Sequence, residues 1–206
     1  HDHEHDHDPE QDHAHNHEQD HVHEHDHEHD HAHEHDHAHE HDGHAHSHVH
    51  RGLADVTKVI DESGLNEEVK ATAKRIFTTL AQAEAKMHGT TVDEVHFHEV
   101  GAIDAIVDVV GASILIHQLS PDAILCSKVN VGSGYVQCAH GLFPVPAPAV
   151  AEILRGEPYF MGPGRGELCT PTGAAIVKTL CSEFGRMPVM EVERIGYGAG
   201  VREMET

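Results

Sequence analysis

The stretch Val95-His96-Phe97-His98-Glu99-Val100-Gly101-Ala102-Ile103-Asp104-Ala105-Ile106-Val107-Asp108-Val109-Val110-Gly111 decides how this chain reads. Between His96 and Asp108 it sets two histidines and three carboxylates among thirteen residues otherwise made of Val, Ile, Ala, Phe and Gly. Burying ionisable groups in such a segment costs several kcal/mol, roughly, unless each is hydrogen-bonded, paired or bound to a metal. Val95 and Phe97 alternate with His96 and His98, so a strand here puts both imidazoles on one face. Gly101 ends the alternation, and 102–119 reads as a nearly all-apolar, buried helix whose Asp104 and Asp108, four apart, share a face. Asp104 falls in the first turn, where the helix dipole favours a carboxylate. Such nitrogen and oxygen donors suit Ni, Zn, Mn or Mg. The plainer readings are Asp104 as a cap and Asp108 as the partner of a buried histidine.

Upstream, Val56, Val59 and Ile60 recur at helical spacing and stop at Ser63-Gly64, which marks a short helix. Asn66 caps a second helix with Glu67 and Glu68 in its first turn. Val69, Ala73, Ile76, Phe77, Leu80 and Met87 line one face of it as far as Gly89, and its role is expected to be structural. Thr91-Val92-Asp93-Glu94 has the form of a capping box and opens one more turn before the central stretch.

Downstream, 123–125 and 128–131 are short strand material, followed by Gly132-Ser133-Gly134. In Gln137-Cys138-Ala139-His140-Gly141-Leu142-Phe143-Pro144-Val145-Pro146-Ala147-Pro148-Ala149, alternate prolines stiffen an extended segment before a helix over about 149–155. His140 sits in a tightly shaped loop there and is a candidate ligand, although Gly141 and the prolines explain the loop without it. Gly162 to Glu167 reads as irregular. Thr170-Pro171 reads as an N-cap with proline at the first helical position, leading an apolar helix to about Cys181. The amides around Thr172 and Gly173 then point at whatever lies in front of that helix, either an anion or nothing more than the cap. The stretch 189–195 reads as a strand running into Gly196-Tyr197-Gly198-Ala199-Gly200.

The first 50 residues are a separate object, holding 22 of the 27 histidines and 16 of the 36 acidic residues with no Lys or Arg. A near-dipeptide repeat of His with Asp, Glu or Ala offers no apolar face, so it is expected to be disordered without metal. Imidazoles at this density collect Ni, Zn, Cu or Co, and the segment reads as a metal collector or store. Residues 51–206 are long enough for one domain with a real core. The mixture of helices and short strands places that domain in the α/β or α+β class.

The acidic balance, with a net charge of −23 and no basic stripe, argues against nucleic acid or an anionic membrane as partner. Asp104, Asp108 and His117 interrupt the longest apolar run before it reaches a membrane span. Cys126, Cys138, Cys169 and Cys181 show no CxxC spacing and suit a reducing, cytoplasmic setting. The dinucleotide, P-loop and serine-hydrolase signatures do not occur. Position 1 carries neither an initiator Met nor a signal pattern and is expected to be a truncation or processing point.

His96-Phe97-His98-Glu99-Val100-Gly101-Ala102-Ile103-Asp104 with Ile106-Val107-Asp108, then Gly132-Ser133-Gly134, His140-Gly141 with Pro144-Val145-Pro146-Ala147-Pro148-Ala149, and Thr170-Pro171-Thr172-Gly173-Ala174-Ala175, resemble the LarC family. These are the nickel insertion proteins that mature the nickel pincer cofactor of lactate racemase. The ordered motifs span nearly all of 51–206, and a histidine-rich insertion is common among members. The resemblance implies CTP-dependent insertion of nickel into pyridinium-3,5-bisthiocarboxylic acid mononucleotide. CTP is split to CMP and pyrophosphate with Mg2+ or Mn2+, and nickel becomes linked to two sulfurs and a ring carbon.

On that reading His96, His98, Asp108 and His140 hold nickel, and Glu99 or Asp104 takes the ring proton. Thr170, Thr172 and Gly173 anchor the nucleotide's phosphate. The family's short opening strand-and-glycine segment and its C-terminal CTP-associated domain have no counterpart in these residues. The expectation is therefore that this chain binds nickel but turns over poorly by itself. A second domain or polypeptide would carry the CTP site, beside other lactate racemase maturation proteins. A competing class is a non-enzymatic nickel or zinc chaperone or store. A metal-dependent hydrolase fits least, for want of a second carboxylate cluster.

Overall fold

Capping chemistry sets the helix ends. In the computed structural model, which describes residues 51–97, 103–138 and 140–200, helix α1 (Leu53–Asp61) starts after Gly52, whose N–H donates to Asp55 Oδ2 at 2.9 Å. It buries Val56 and Ile60. Helix α2 (Glu67–His88) starts at Asn66, whose Oδ1 accepts from the Glu68 N–H at 2.8 Å, and ends at Gly89. Gly89 lies at φ 64°, a left-handed conformation that only glycine adopts without strain. Thr91 Oγ1 donates to Glu94 at 2.8 Å and closes the single turn expected there.

That turn delivers Val95 and Phe97 to the core, both only 2% exposed, with His96 outward between them. Within the described residues the alternation is a strand: β2 (His96–Phe97) pairs antiparallel with β1 (Arg51–Gly52), Gly52 opposite His96. Phe97 meets Phe77 of α2 with ring centroids 6.2 Å apart. Helix α3 (Ile103–Leu119) follows, and here the expectation of a buried helix needs correcting. Ala105, Val109 and Ser113 are buried, whereas Ile103, Val107, Leu115 and Leu119 are exposed. Its neighbours among the described residues, α2 and the later helix α5 (Pro171–Leu180), touch one side only, so apolar composition there exceeds the cover available.

The remaining strands come in pairs rather than in one sheet. Strand β3 (Leu125–Ser127) runs parallel to β10 (Glu183–Gly185), and β4 (Val129–Asn130) parallel to β8 (Tyr159–Phe160). Strand β5 (Gly132–Ser133) is antiparallel to β9 (Gly166–Glu167), and β6 (Tyr135–Cys138) forms a hairpin with β7 (Gly141–Pro144). The approach of β5 to β9 requires Gly132, since a Cβ there would lie 2.0 Å from the Gly166 carbonyl oxygen. Helices α4 (Pro148–Ile153) and α5 (Pro171–Leu180) complete the unit, each opening on proline. Helix α2 packs against α1, α3, α4 and α5, and its Ile76, Phe77 and Leu80 are at the centre of the core.

Helices mix with strand pairs of both senses, as the mixed class expected from the sequence requires. The strand expected over 189–195 is not formed: those residues pair with no strand among the described residues, and Val189, Val192 and Ile195 are exposed. Alternating side chains make a strand only where an edge accepts its backbone. No helix among the described residues is long and apolar enough to cross a membrane.

Candidate functional site

Two cavities flank the start of α5. The first, of about 660 Å³, lies between the C-terminal turn of α2 and the β6–β7 hairpin. Helical spacing puts Glu84 and His88, four residues apart, on one side of that last turn. The Glu84 Oε2 atom lies 3.5 Å from His88 Nε2. The hairpin turn carries His140, whose ring centroid is 4.9 Å from that of His88, with the planes tilted by 53°. Met87, Cys138 and Glu167 also line this cavity, with Phe143 and Pro148 as apolar wall.

The second cavity, of about 740 Å³, lies beside the first two turns of α5 and is lined by Lys128, Asn130, Cys169, Thr170, Gly173 and Val177, among others. Thr170 Oγ1 accepts from the Gly173 N–H at 3.2 Å, the expected N-cap. Asn130 Oδ1 accepts from Gly132 at 3.1 Å and Gly162 at 2.9 Å, which fixes the loop opposite. Burial pushes the Cys169 thiol up to about 11, with the charges of Glu167 and Cys126 adding to it. Cys181 is also pushed up to about 11, by burial first and then by Cys126. Both are neutral thiols at pH 7 and hence poor nucleophiles.

The stretch from Glu167 to Gly173 walls both cavities: Glu167 and Pro171 face the first, while Leu168, Cys169, Thr170 and Gly173 face the second. Thr172 lies in the first turn of α5 and lines neither.

Of the expected metal ligands, His140 enters the first cavity. His96 is exposed on β2, and Asp104 and Asp108 are exposed together on α3, with Asp104 Oδ1 accepting from the Ala105 N–H at 2.9 Å. His98, Glu99 and residues 1–50 lie outside the described residues. Among the described residues no group of three or more His, Cys, Asp or Glu side chains is gathered closely enough to hold a metal ion as it stands. Glu84 and His88 escaped the sequence reading. Their only signal was an acid and an imidazole at i, i+4 at a helix end, with the partner His140 more than fifty residues further along.

The nickel insertion protein family matches residues 7–206. The chain belongs to this family. Two relatives from Desulfitobacterium hafniense, strains DSM 10664 / DCB-2 and Y51, are 53% and 52% identical over 156 residues, covering 76% of this chain. Both are named pyridinium-3,5-bisthiocarboxylic acid mononucleotide nickel insertion protein. A putative nickel insertion protein from Dictyoglomus thermophilum is 51% identical over 154 residues, 75% of this chain. The chain spans 39% of the length of the first two relatives and 40% of the third. No solved structure matches it. For a nickel insertion protein, the pairing of imidazoles in one cavity with a capped helix start at the next is the arrangement of interest.

Proposed function

We propose that this chain is the part of a nickel insertase that handles metal and substrate, acting on pyridinium-3,5-bisthiocarboxylic acid mononucleotide in the cytoplasm. The carrying observation is the 53% identity, over 156 residues, to a relative bearing that substrate's name. Nickel is cargo here: it leaves in the product, bound to two sulfurs and a ring carbon. The residues fit such a handover. A substrate with an anionic end and a metal-accepting ring needs donors of two kinds at neighbouring places. The segment from Glu167 to Gly173 walls two cavities, one lined also by His88 and His140 and the other by Lys128 and Thr170, and this supports the reading.

In this reading Thr170 and Gly173 hold the mononucleotide's phosphate at the second cavity, with Thr172 beside them in the first turn of α5 and the Lys128 ammonium lining the same cavity. His140 holds nickel, and His96, His98 and Asp108 supply it. Forming the carbon–nickel bond releases the ring proton, which Glu99 or Asp104 accepts. CTP, with Mg2+ or Mn2+, drives the reaction from a site on the remaining part of the family architecture, in concert with the other lactate racemase maturation proteins.

The test is nickel transfer to the purified mononucleotide with CTP and Mg2+ or Mn2+, with and without the rest of a full-length relative supplied in trans. Transfer is expected only with both parts, read as activation of apo lactate racemase. Transfer that is absent with both parts, or is undiminished when this chain is left out, overturns the proposal. A nickel store is the second reading, favoured by the 22 histidines of the first 50 residues. Deleting those residues removes a store's capacity but leaves an insertase active at high nickel.

A further inference from the structure

We infer that His88 and His140, with the Glu84 carboxylate, form a divalent transition-metal site in the cavity between α2 and the β6–β7 hairpin. Only the identity of the metal, nickel, rests on the function proposed above; the site itself rests on geometry. Imidazole nitrogens bind first-row divalent ions at about 2.1 Å, and the ring centre lies about 1.1 Å behind the nitrogen. Two imidazoles sharing one ion at about 90–110° therefore have centres about 4.5–5.2 Å apart. The His88 and His140 centroids are 4.9 Å apart.

Two donor atoms sharing an ion at the same angles lie about 3.0–3.4 Å apart. Glu84 Oε2 and His88 Nε2 are 3.5 Å apart, long for a direct hydrogen bond and within a tenth of an ångström of that range. An aromatic pair needs no metal to sit at such a distance. The company this pair keeps is what points to an ion: the Met87 thioether, the Cys138 thiol and the Glu167 carboxylate line the same cavity. Imidazole with sulfur and carboxylate suits nickel, copper or zinc far better than magnesium or calcium.

The three side chains are not yet closed to ligating distance. Binding draws in His140, which sits on a turn rather than on a helix. His88 is held by the last turn of α2 and is the fixed member. The site uses no residue of the central stretch, so the protein carries a nickel-holding point on its core helix in addition to any at His96 and His98.

The histidine-rich segment would swamp a plain binding titration. It binds metal equally in folded and unfolded chains, however, and so adds nothing to thermal stability, whereas a site made by the fold raises the Tm. With Ni2+ alone added to the full chain at about a hundredfold excess over the dissociation constant, the Tm is expected to rise by about 5 °C or more. His88→Gln and His140→Gln each abolish most of that rise, and His117→Gln keeps it. A second readout needs no variant: nickel slows carbethoxylation of His88 and His140 about tenfold or more, read peptide by peptide, and leaves His117 unchanged. A rise that persists in His88→Gln, or no rise and no protection in the natural chain, overturns the site. Neither readout involves the mononucleotide or CTP, so failure here leaves the insertase proposal standing, and failure of nickel transfer leaves the site standing.

Discussion

Helices α2 and α3 invert the relation between composition and burial. α3 is the more apolar, with two carboxylates and one histidine as its only ionisable groups, yet it buries only Ala105, Val109 and Ser113. α2 carries Lys, Arg and Glu throughout and buries nine residues, among them Ile76, Phe77 and Leu80. What separates them is the number of helices packed closely on each among the described residues: α2 is packed on by α1, α3, α4 and α5, and α3 by α2 and α5. A polar stripe on a helix records where water is, and an apolar stripe records only where water is tolerated poorly. The helix that organises the core is therefore the amphipathic one, and its end carries two side chains, Glu84 and His88, that line the cavity His140 enters.

The sharpest break in that comparison is Phe77→Ala on α2. Phe77 is 0% exposed and packs against Phe97, and truncation is expected to cost about 3–5 kcal/mol. Urea unfolding followed by far-UV circular dichroism measures it, and a loss below about 1 kcal/mol would remove α2 from the centre of the core. Val109→Ala makes the matching cut on the inner side of α3, where Val109 is also 0% exposed. The smaller side chain sets a loss of about 2 kcal/mol. An equal loss at both sites would mean that the two helices carry the core evenly.

Much of this arrangement was legible in the sequence, and what was legible was local. Asn66, Gly89 and Thr170-Pro171 announce helix ends because a cap is satisfied within three or four residues of itself. The shared face of Val95 and Phe97 followed from alternation, and the fold class followed from the mixture of helices and short strands. Two-residue strands such as β4 and β8 leave no period to read, since their identity lies in a partner some thirty residues away. The strand expected at 189–195 failed for the same reason in reverse, having the alternation without the edge. The candidate site splits along the same line. His140 stood out by its setting of glycine and prolines, whereas His88 looked like an ordinary charged residue in the last turn of a helix, and only the fold brings the two rings together.

Alkaline pH probes the layer beneath both helices, where Cys169 lies in the core at the entrance to α5. Its thiol is raised from 9.0 to about 11, so between those values the unfolded chain has lost a proton that the folded chain keeps. The unfolded state then binds fewer protons, and stability falls as pH rises from about 9 through 11. Cys169→Ala should flatten that part of the pH profile of urea midpoints, by on the order of 1 kcal/mol. A profile as steep in the variant as in the natural chain would place the alkaline transition elsewhere.

The smallest expected effect is the one that tests whether the outer side of α3 is bare. Leu115 is 60% exposed there, and glutamine keeps its length and helix propensity while removing the apolar surface. Glutamate would be the wrong probe, because a negative charge in the C-terminal half of a helix opposes the dipole and adds a penalty of its own. Leu115→Gln should move the unfolding free energy by no more than about 0.5 kcal/mol, with an unchanged urea slope. A loss above about 2 kcal/mol would mean that Leu115 is covered in solution. The two helices would then differ in what they are packed against, not in how much of each is packed.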